Sequence, residues 1–314
     1  RVVGMKISFL HRHRSVLGIY GLLIGFLVLS SFLSPQFRTS YNIFNLFRQA
    51  VAYGLLSIGQ TIAILSAGID LSVGSLVSLT ACLTSGIMVG NPHLVVPIIL
   101  FILALGIGVG AGNGLLITKL RVPPFIATLA TSAFLQGAVL LYTKKPVGGV
   151  TRGFMFFANG QLGMIPFALI FWMAMIVLFL FLLQKTSLGL HIYAVGGNRE
   201  VARLSGVNLF KTIMMVYILS AGMAALTGLF IASRLGIGDP LIGQGMELES
   251  ITAVLMGGTT FAGGKGGLIG TVAGVLIISL INNILNLMNV QGFWQWIIKG
   301  VIVIVVVAFY REKE

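Results

Sequence analysis

The chain has 314 residues, 57% of them hydrophobic and 9% charged, and a mean hydropathy of +1.04, whereas soluble domains carry charge on about a quarter of their residues. This composition excludes an ordinary soluble enzyme or binding module and defines an all-α integral membrane protein with one transmembrane domain over residues 1–314. The net charge of +13 sits in short clusters between apolar runs, which is a topology signal and not a nucleic-acid surface.

A helical span needs about 20 apolar residues. Ten apolar segments are predicted, at residues 16–33, 43–67, 71–89, 94–117, 123–142, 164–183, 212–232, 248–261, 268–287 and 293–309. The eighth is short and reads as a partial or broken helix. Residues 1–15 form a basic N-terminal segment, and the first apolar run meets Ser34-Pro35-Gln36-Phe37 with no small-residue cleavage site. Placing both termini in the cytoplasm puts 13 of the 20 Lys and Arg residues on that side, as the positive-inside rule favours. The single cysteine, Cys82, falls inside an apolar segment and reads as a packing residue.

The 41 glycines are about twice the usual share. In the fourth segment Gly106, Gly110 and Gly114 lie at steps of four, and Gly266, Gly270 and Gly274 repeat the spacing near the ninth. Each set makes a bare helix face that lets a second backbone approach closely, for static packing or for surfaces that slide.

Polar residues within the spans are mostly uncharged, and each is costly in hydrocarbon unless it faces protein or a wet path. Gln60, Ser72, Ser75, Asn113, Thr128, Asn282 and Asn283 belong to this set. They suit either interhelical hydrogen bonds or the lining of a path for a neutral, hydroxyl-rich solute. Among acids only Asp70, Glu247 and Glu249 approach the intramembrane position that an ion-coupled carrier commonly needs. Asp70 precedes the third segment, with Ser72 two places on. It is placed to accept from the free amides of a first helical turn, with a role in gating as the other reading.

The glycine-rich stretch Gly257–Gly267 fails the phosphate-loop pattern, because Thr259 stands where the first Gly belongs and Gly266 where Ser or Thr must hold magnesium. The four histidines lack carboxylate partners at useful spacing, so no catalytic or metal site is predicted. Tyr142–Gly163, with Lys144, Lys145 and Arg152, is the largest outward segment, and Arg234 with Asp239 marks a smaller one. Both read as solvated loops or as docking sites for an external protein.

Five stretches then occur in unbroken order: Gly68-Ile69-Asp70-Leu71-Ser72-Val73-Gly74-Ser75, Val122-Pro123-Pro124-Phe125-Ile126-Ala127-Thr128-Leu129, Tyr193-Ala194-Val195-Gly196-Gly197-Asn198, Arg203-Leu204-Ser205-Gly206-Val207, and Gly257-Gly258-Thr259 with Ala262-Gly263-Gly264-Lys265-Gly266. Together they resemble the membrane-spanning permeases of bacterial ribose-type ABC importers, from about Ser34 to the C-terminus. The resemblance implies a multi-pass protein of the bacterial inner membrane that carries a monosaccharide and has no ATP site of its own. Its implied partners are a second permease subunit (a copy or a paralogue), cytoplasmic ATPase subunits holding ATP and magnesium, and a periplasmic or lipid-anchored sugar-binding protein. Gln60, Asp70, Ser72, Ser75, Asn113, Phe125, Thr128, Asn282 and Asn283 are the candidate pathway or gating residues. Leu190-His191 and Lys144-Lys145 depart from the usual family residues and leave the particular sugar open. An ABC permease for a branched amino acid or nucleoside and an ion-coupled carrier are the alternatives.

Residues 189–211 are the longest polar interruption of the chain. Gly196-Gly197 is expected to make a sharp turn, Asn198 to cap a helix of about two turns, and Gly206 to stop it. Val201 and Leu204 give it a small apolar face. The resemblance implies that this is the cytoplasmic coupling helix received by an ATPase subunit, with Gly196, Gly197, Asn198, Arg199, Glu200 and Arg203 as contact residues.

Overall fold

A computed structural model describes residues 14–309. Most of the predicted basic segment 1–15, and the C-terminal Arg311 and Lys313, lie outside the described residues. Ten helices coincide with the ten predicted apolar segments: α1 (Arg14–Leu33), α2 (Ser40–Leu65), α3 (Val73–Met88), α4 (Val95–Thr118), α5 (Pro124–Tyr142), α7 (Phe167–Lys185), α10 (Leu209–Leu235), α11 (Met246–Met256), α12 (Leu268–Leu287) and α13 (Gly292–Phe309). Short α6 (Arg152–Asn159), α8 (Ser187–Gly197) and α9 (Arg199–Leu204) connect them, with a two-stranded ladder, β1 (Gln161–Leu162) and β2 (Ile165–Pro166).

Their ends follow from local chemistry. Thr39 accepts from the amide of Asn42 at the start of α2, and Asn208 from that of Lys211 at the start of α10. Pro124 opens α5, where its missing N–H costs nothing, and Gly236 ends α10 in the left-handed conformation.

Among the described residues, five helical stretches are long and apolar enough to cross a membrane: 92–118, α5, α7, α10 and α12. By contrast, α3 has 16 residues and α11 has 11, roughly 24 and 16 Å at 1.5 Å per residue, against a hydrocarbon core of about 30 Å. Both are largely buried among longer helices. The eighth predicted segment is thus a short inserted helix, followed by a glycine-rich return to α12.

The longest helix, α10, is the centre of the fold and packs on α2, α3 and α4; α12 packs on α1, α2 and α11. The glycine spacing explains the first contact. A Cβ added at Gly106 would lie 2.6 Å from Cβ of Ala225, one at Gly110 2.7 Å from Cα of Ile218, and one at Gly114 2.7 Å from Sδ of Met214, whereas Gly108 and Gly112 face open space. The same device joins α11 to α12, where the carbonyls of Gly257 and Ala253 occupy the space that side chains at Gly270 and Gly274 would need.

The ends of the helices gather into two groups. At one, Gly264 N–H donates to the Leu65 carbonyl (3.0 Å) and the Tyr193 hydroxyl to the Gly266 carbonyl (3.0 Å), so the ends of α2, α8 and α11 meet. At the other, Val147 and Gly238 exchange backbone hydrogen bonds of 2.8 and 3.0 Å, and Gly149 N–H donates to Ser85 at the end of α3.

Tyr142–Gly163 is not a plain solvated loop. Thr151 caps α6 by accepting from the amide of Phe154, and Phe154 and Ala158 are buried. Phe157 sits edge-on to Phe171 (5.0 Å) and Phe230 (5.6 Å). The aromatic spacing gives this segment an apolar face, which α10 covers. Cys82 is fully buried and free, as a packing residue should be.

Candidate functional site

The predicted coupling stretch folds as two helices. Asn198, extended at φ −162°, caps α9 by accepting from the amides of Glu200 and Val201, both at 3.0 Å. Gly206 at φ +84° ends the turn, and Val207 N–H returns to the Ala202 carbonyl. On the exposed face, the guanidinium of Arg203 makes a two-point pair with Glu200, Nη2 to Oε1 at 2.6 Å and Nε to Oε2 at 3.1 Å. This pairing lowers the pKa of Glu200 and raises that of Arg203. Val201 and Leu204, 58% and 75% exposed, flank the pair. The exposed face of α9 thus carries an ion pair and two uncovered apolar side chains.

Gly196 and Gly197 do not make the expected turn; they form the last turn of α8. Their glycine identity serves close approach instead. A Cβ at Gly196 would overlap the Leu65 carbonyl and lie 2.6 Å from the Gly264 nitrogen, and one at Gly264 would lie 2.8 Å from Cα of Gly197. Arg199 is exposed, and its Nη2 donates to the Ala67 carbonyl at 3.4 Å. The surface turn is therefore fastened to Leu65–Ala67, immediately before Asp70.

Asp70 is fully buried. Its Oδ1 accepts from the amide (3.0 Å) and hydroxyl (2.5 Å) of Ser72, and its Oδ2 from the Ser220 hydroxyl (2.9 Å). The Ser72 oxygen accepts from the Asn113 amide (3.0 Å), and Asn113 Oδ1 accepts from the Thr131 hydroxyl (2.6 Å). One chain of polar groups thus joins α10, the start of α3, α4 and α5. Thr128 adds a 3.3 Å bond to the Ile69 carbonyl. The expected cap of the first-turn amides is not formed: Asp70 accepts from Ser72, the residue before α3, because its carboxylate is turned into a junction of four elements.

The remaining pathway candidates separate. Ser75 pairs with Ser132 (2.9 Å), joining α3 to α5. Asn283 exchanges two amide hydrogen bonds with Asn42, 2.8 and 3.0 Å, joining α12 to α2. Gln60 is buried with neither amide atom bonded. Phe125 is 54% exposed at the start of α5. Asn282 alone among the candidates lines the cavity of about 440 Å³ that α11, α12 and α13 enclose with Tyr53. There Glu249 accepts from Asn282 Nδ2 (3.1 Å) and pairs with Lys299 across 50 residues of sequence.

Of the candidate docking residues, Lys144, Lys145 and Arg152 are exposed, while Arg234 and Asp239 are half-buried. The bridge between Val147 and Gly238 brings their two loops together. Asp239 caps its own turn by accepting from Leu241 N–H (2.9 Å).

The family model described as branched-chain amino acid transport system/permease component matches residues 42–307. The ribose import permease protein RbsC of Bacillus subtilis is 41% identical over 91% of this chain and 90% of its own length. RbsC of Escherichia coli is 39% identical over 93% and 92%, and the galactose/methyl galactoside import permease protein MglC of Escherichia coli 36% over 94% of each. No solved structure matches. The chain belongs to this family of transport-system permeases, on the ribose-type ABC importer branch to which its motifs point.

Proposed function

We propose that the chain is the permease subunit of an ATP-driven importer of a monosaccharide, such as ribose or a related sugar, in the bacterial inner membrane. The relatives named for ribose and galactose import support the substrate class. The single observation that carries the mechanism is the attachment of the turn Gly196–Leu204 to the Leu65–Ala67 segment through Gly196 and Arg199. A partner that presses on α9 displaces the end of α2 and the Asp70 junction with it.

In this reading all ten helices that match the apolar segments traverse or insert into the bilayer, both termini face the cytoplasm, and α8–α9 form the cytoplasmic coupling surface. ATP and magnesium are held by partner ATPase subunits. A second permease subunit completes the path, and the paired loops carrying Lys144, Lys145, Arg152 and Asp239 receive a periplasmic or lipid-anchored binding protein. ATP-dependent closure shifts the population between inward- and outward-open packings, which requires contacts at α9 that differ in energy between the two. The close backbone contacts at Gly106–Gly114 and Gly270–Gly274 supply surfaces free of side chains for that motion.

The test is reconstitution into liposomes with the ATPase subunits and the binding protein. Accumulation of D-ribose or D-galactose that needs ATP and ignores an ionophore supports the reading. Uptake that collapses with the ionophore and ignores ATP makes the chain an ion-coupled carrier.

A further inference from the structure

The cavity bounded by α11, α12 and α13 belongs to no part of the coupling surface or the Asp70 junction, and its volume of about 440 Å³ lies in the range of small-molecule sites. Its wall is mainly apolar, with a small group of polar side chains, Gln244, Glu249, Asn282 and Lys299, set into it. Glu249 is part of that wall, paired with Lys299 and accepting from Asn282 Nδ2. Asn282 is 3% exposed, and its Oδ1 has no hydrogen-bond partner. Trp296, 64% exposed, and Tyr53 present aromatic surface to the same space, and Gln244 adds an amide at its edge.

We propose that this cavity is a binding station for one monosaccharide, on the membrane face where α10 ends and the Gly236–Gly245 loop begins. The inference rests on the import reading and names a site for it. A sugar ring has an apolar face that stacks on Trp296 and a rim of hydroxyls that both donate and accept. The Glu249 carboxylate, oriented by Asn282 Nδ2, accepts from that rim, while Gln244 and Lys299 donate to it. A lipid chain would leave Gln244 and the Glu249–Lys299 pair facing hydrocarbon. A zwitterionic amino acid would have to compete with the Glu249–Lys299 pair for each of its charges, whereas a neutral sugar leaves that pair intact.

The test is equilibrium binding of radiolabelled D-ribose and D-galactose to the permease–ATPase complex in lipid nanodiscs without the binding protein, alongside uptake by the intact system. Saturable binding is expected for at least one sugar, about tenfold weaker in Trp296→Ala, a change of about 1.4 kcal/mol. Binding returns in Trp296→Phe, is lost in Asn282→Leu, and is not competed by leucine. Trp296 is exposed, so its variants test the site even if Asn282→Leu does not fold. Binding that is absent while uptake proceeds, unaffected by the Trp296 variants, or displaced by leucine or by added lipid overturns the site and leaves the import reading standing. An intact wild-type system that accumulates neither sugar overturns both.

Discussion

Arg199 on the surface helix α9 donates to the main-chain carbonyl of Ala67, three residues before the buried carboxylate of Asp70. A hydrogen bond thereby ties an exposed surface turn to the segment that leads into an interior polar junction. Removing the link separates docking from transmission. Arg199→Ala is expected to keep ATPase association, measured by co-purification, and to lower ATP-driven uptake severalfold. Equal loss of both would assign Arg199 to the docking face instead.

The Glu200–Arg203 pair faces solvent and is internal to α9. The double exchange Glu200→Arg with Arg203→Glu therefore retains a pair while inverting the charges offered to a partner. Membrane insertion should be unchanged, and ATPase association and uptake should both fall. Because Arg203 holds the Glu200 pKa below its ordinary value, the pair's contribution is fully present above the ordinary carboxylate range, at about pH 4 to 5, and is lost as pH falls through the lowered value. Association measured against pH should be flat above that range and decline only below it.

Gly110 has no room for a side chain and Gly108 has ample room. Gly110→Ala is expected to destabilise the α4–α10 contact by about 1–3 kcal/mol through overpacking. Gly108→Ala should be neutral or stabilise by about 0.5 kcal/mol through helix propensity. Thermal stability in detergent compares them, and equal effects would contradict the assigned face.

Asp70 accepts three hydrogen bonds and has no exposed surface. Asp70→Asn replaces one acceptor oxygen by an amide donor, so the Ser220 hydroxyl must give up its own donation or the Ser72 N–H its acceptor, at a cost of about 1–3 kcal/mol. Lower thermal stability together with reduced uptake is expected, whereas Ser220→Ala, which removes one donor, should have a smaller effect on both.

What the sequence reveals and what it hides follow from the range of each interaction. The Asn198 cap, the Asp70–Ser72 contact and the Gly106–Gly110–Gly114 face each depend on residues within one or two turns, so spacing alone discloses them. The use of Gly196 does not: a Gly-Gly pair fits a turn as well as a close approach, and only Leu65 and Gly264 decide between them. The helix α6 was carried by Phe154, Phe157 and Ala158, a spacing obscured by the basic residues around it. The Glu249–Lys299 pair and the Trp296 wall have no local signature, because the chain returns 50 residues later to complete them. Gln60, Ser75 and Asn283 share a residue class with Asn282, and only packing separates the interhelical contacts of Ser75 and Asn283 from the cavity wall.

The most direct measurement of the central claim, that energy enters through α9, is sugar accumulation in proteoliposomes containing this chain with and without the ATPase subunits, for wild type and for the Glu200/Arg203 exchange. The account predicts ATP-driven accumulation by the wild-type complex, none without the ATPase subunits, and a severe loss in the exchange variant. Accumulation by the chain alone, or an exchange variant that transports as well as wild type, would contradict it.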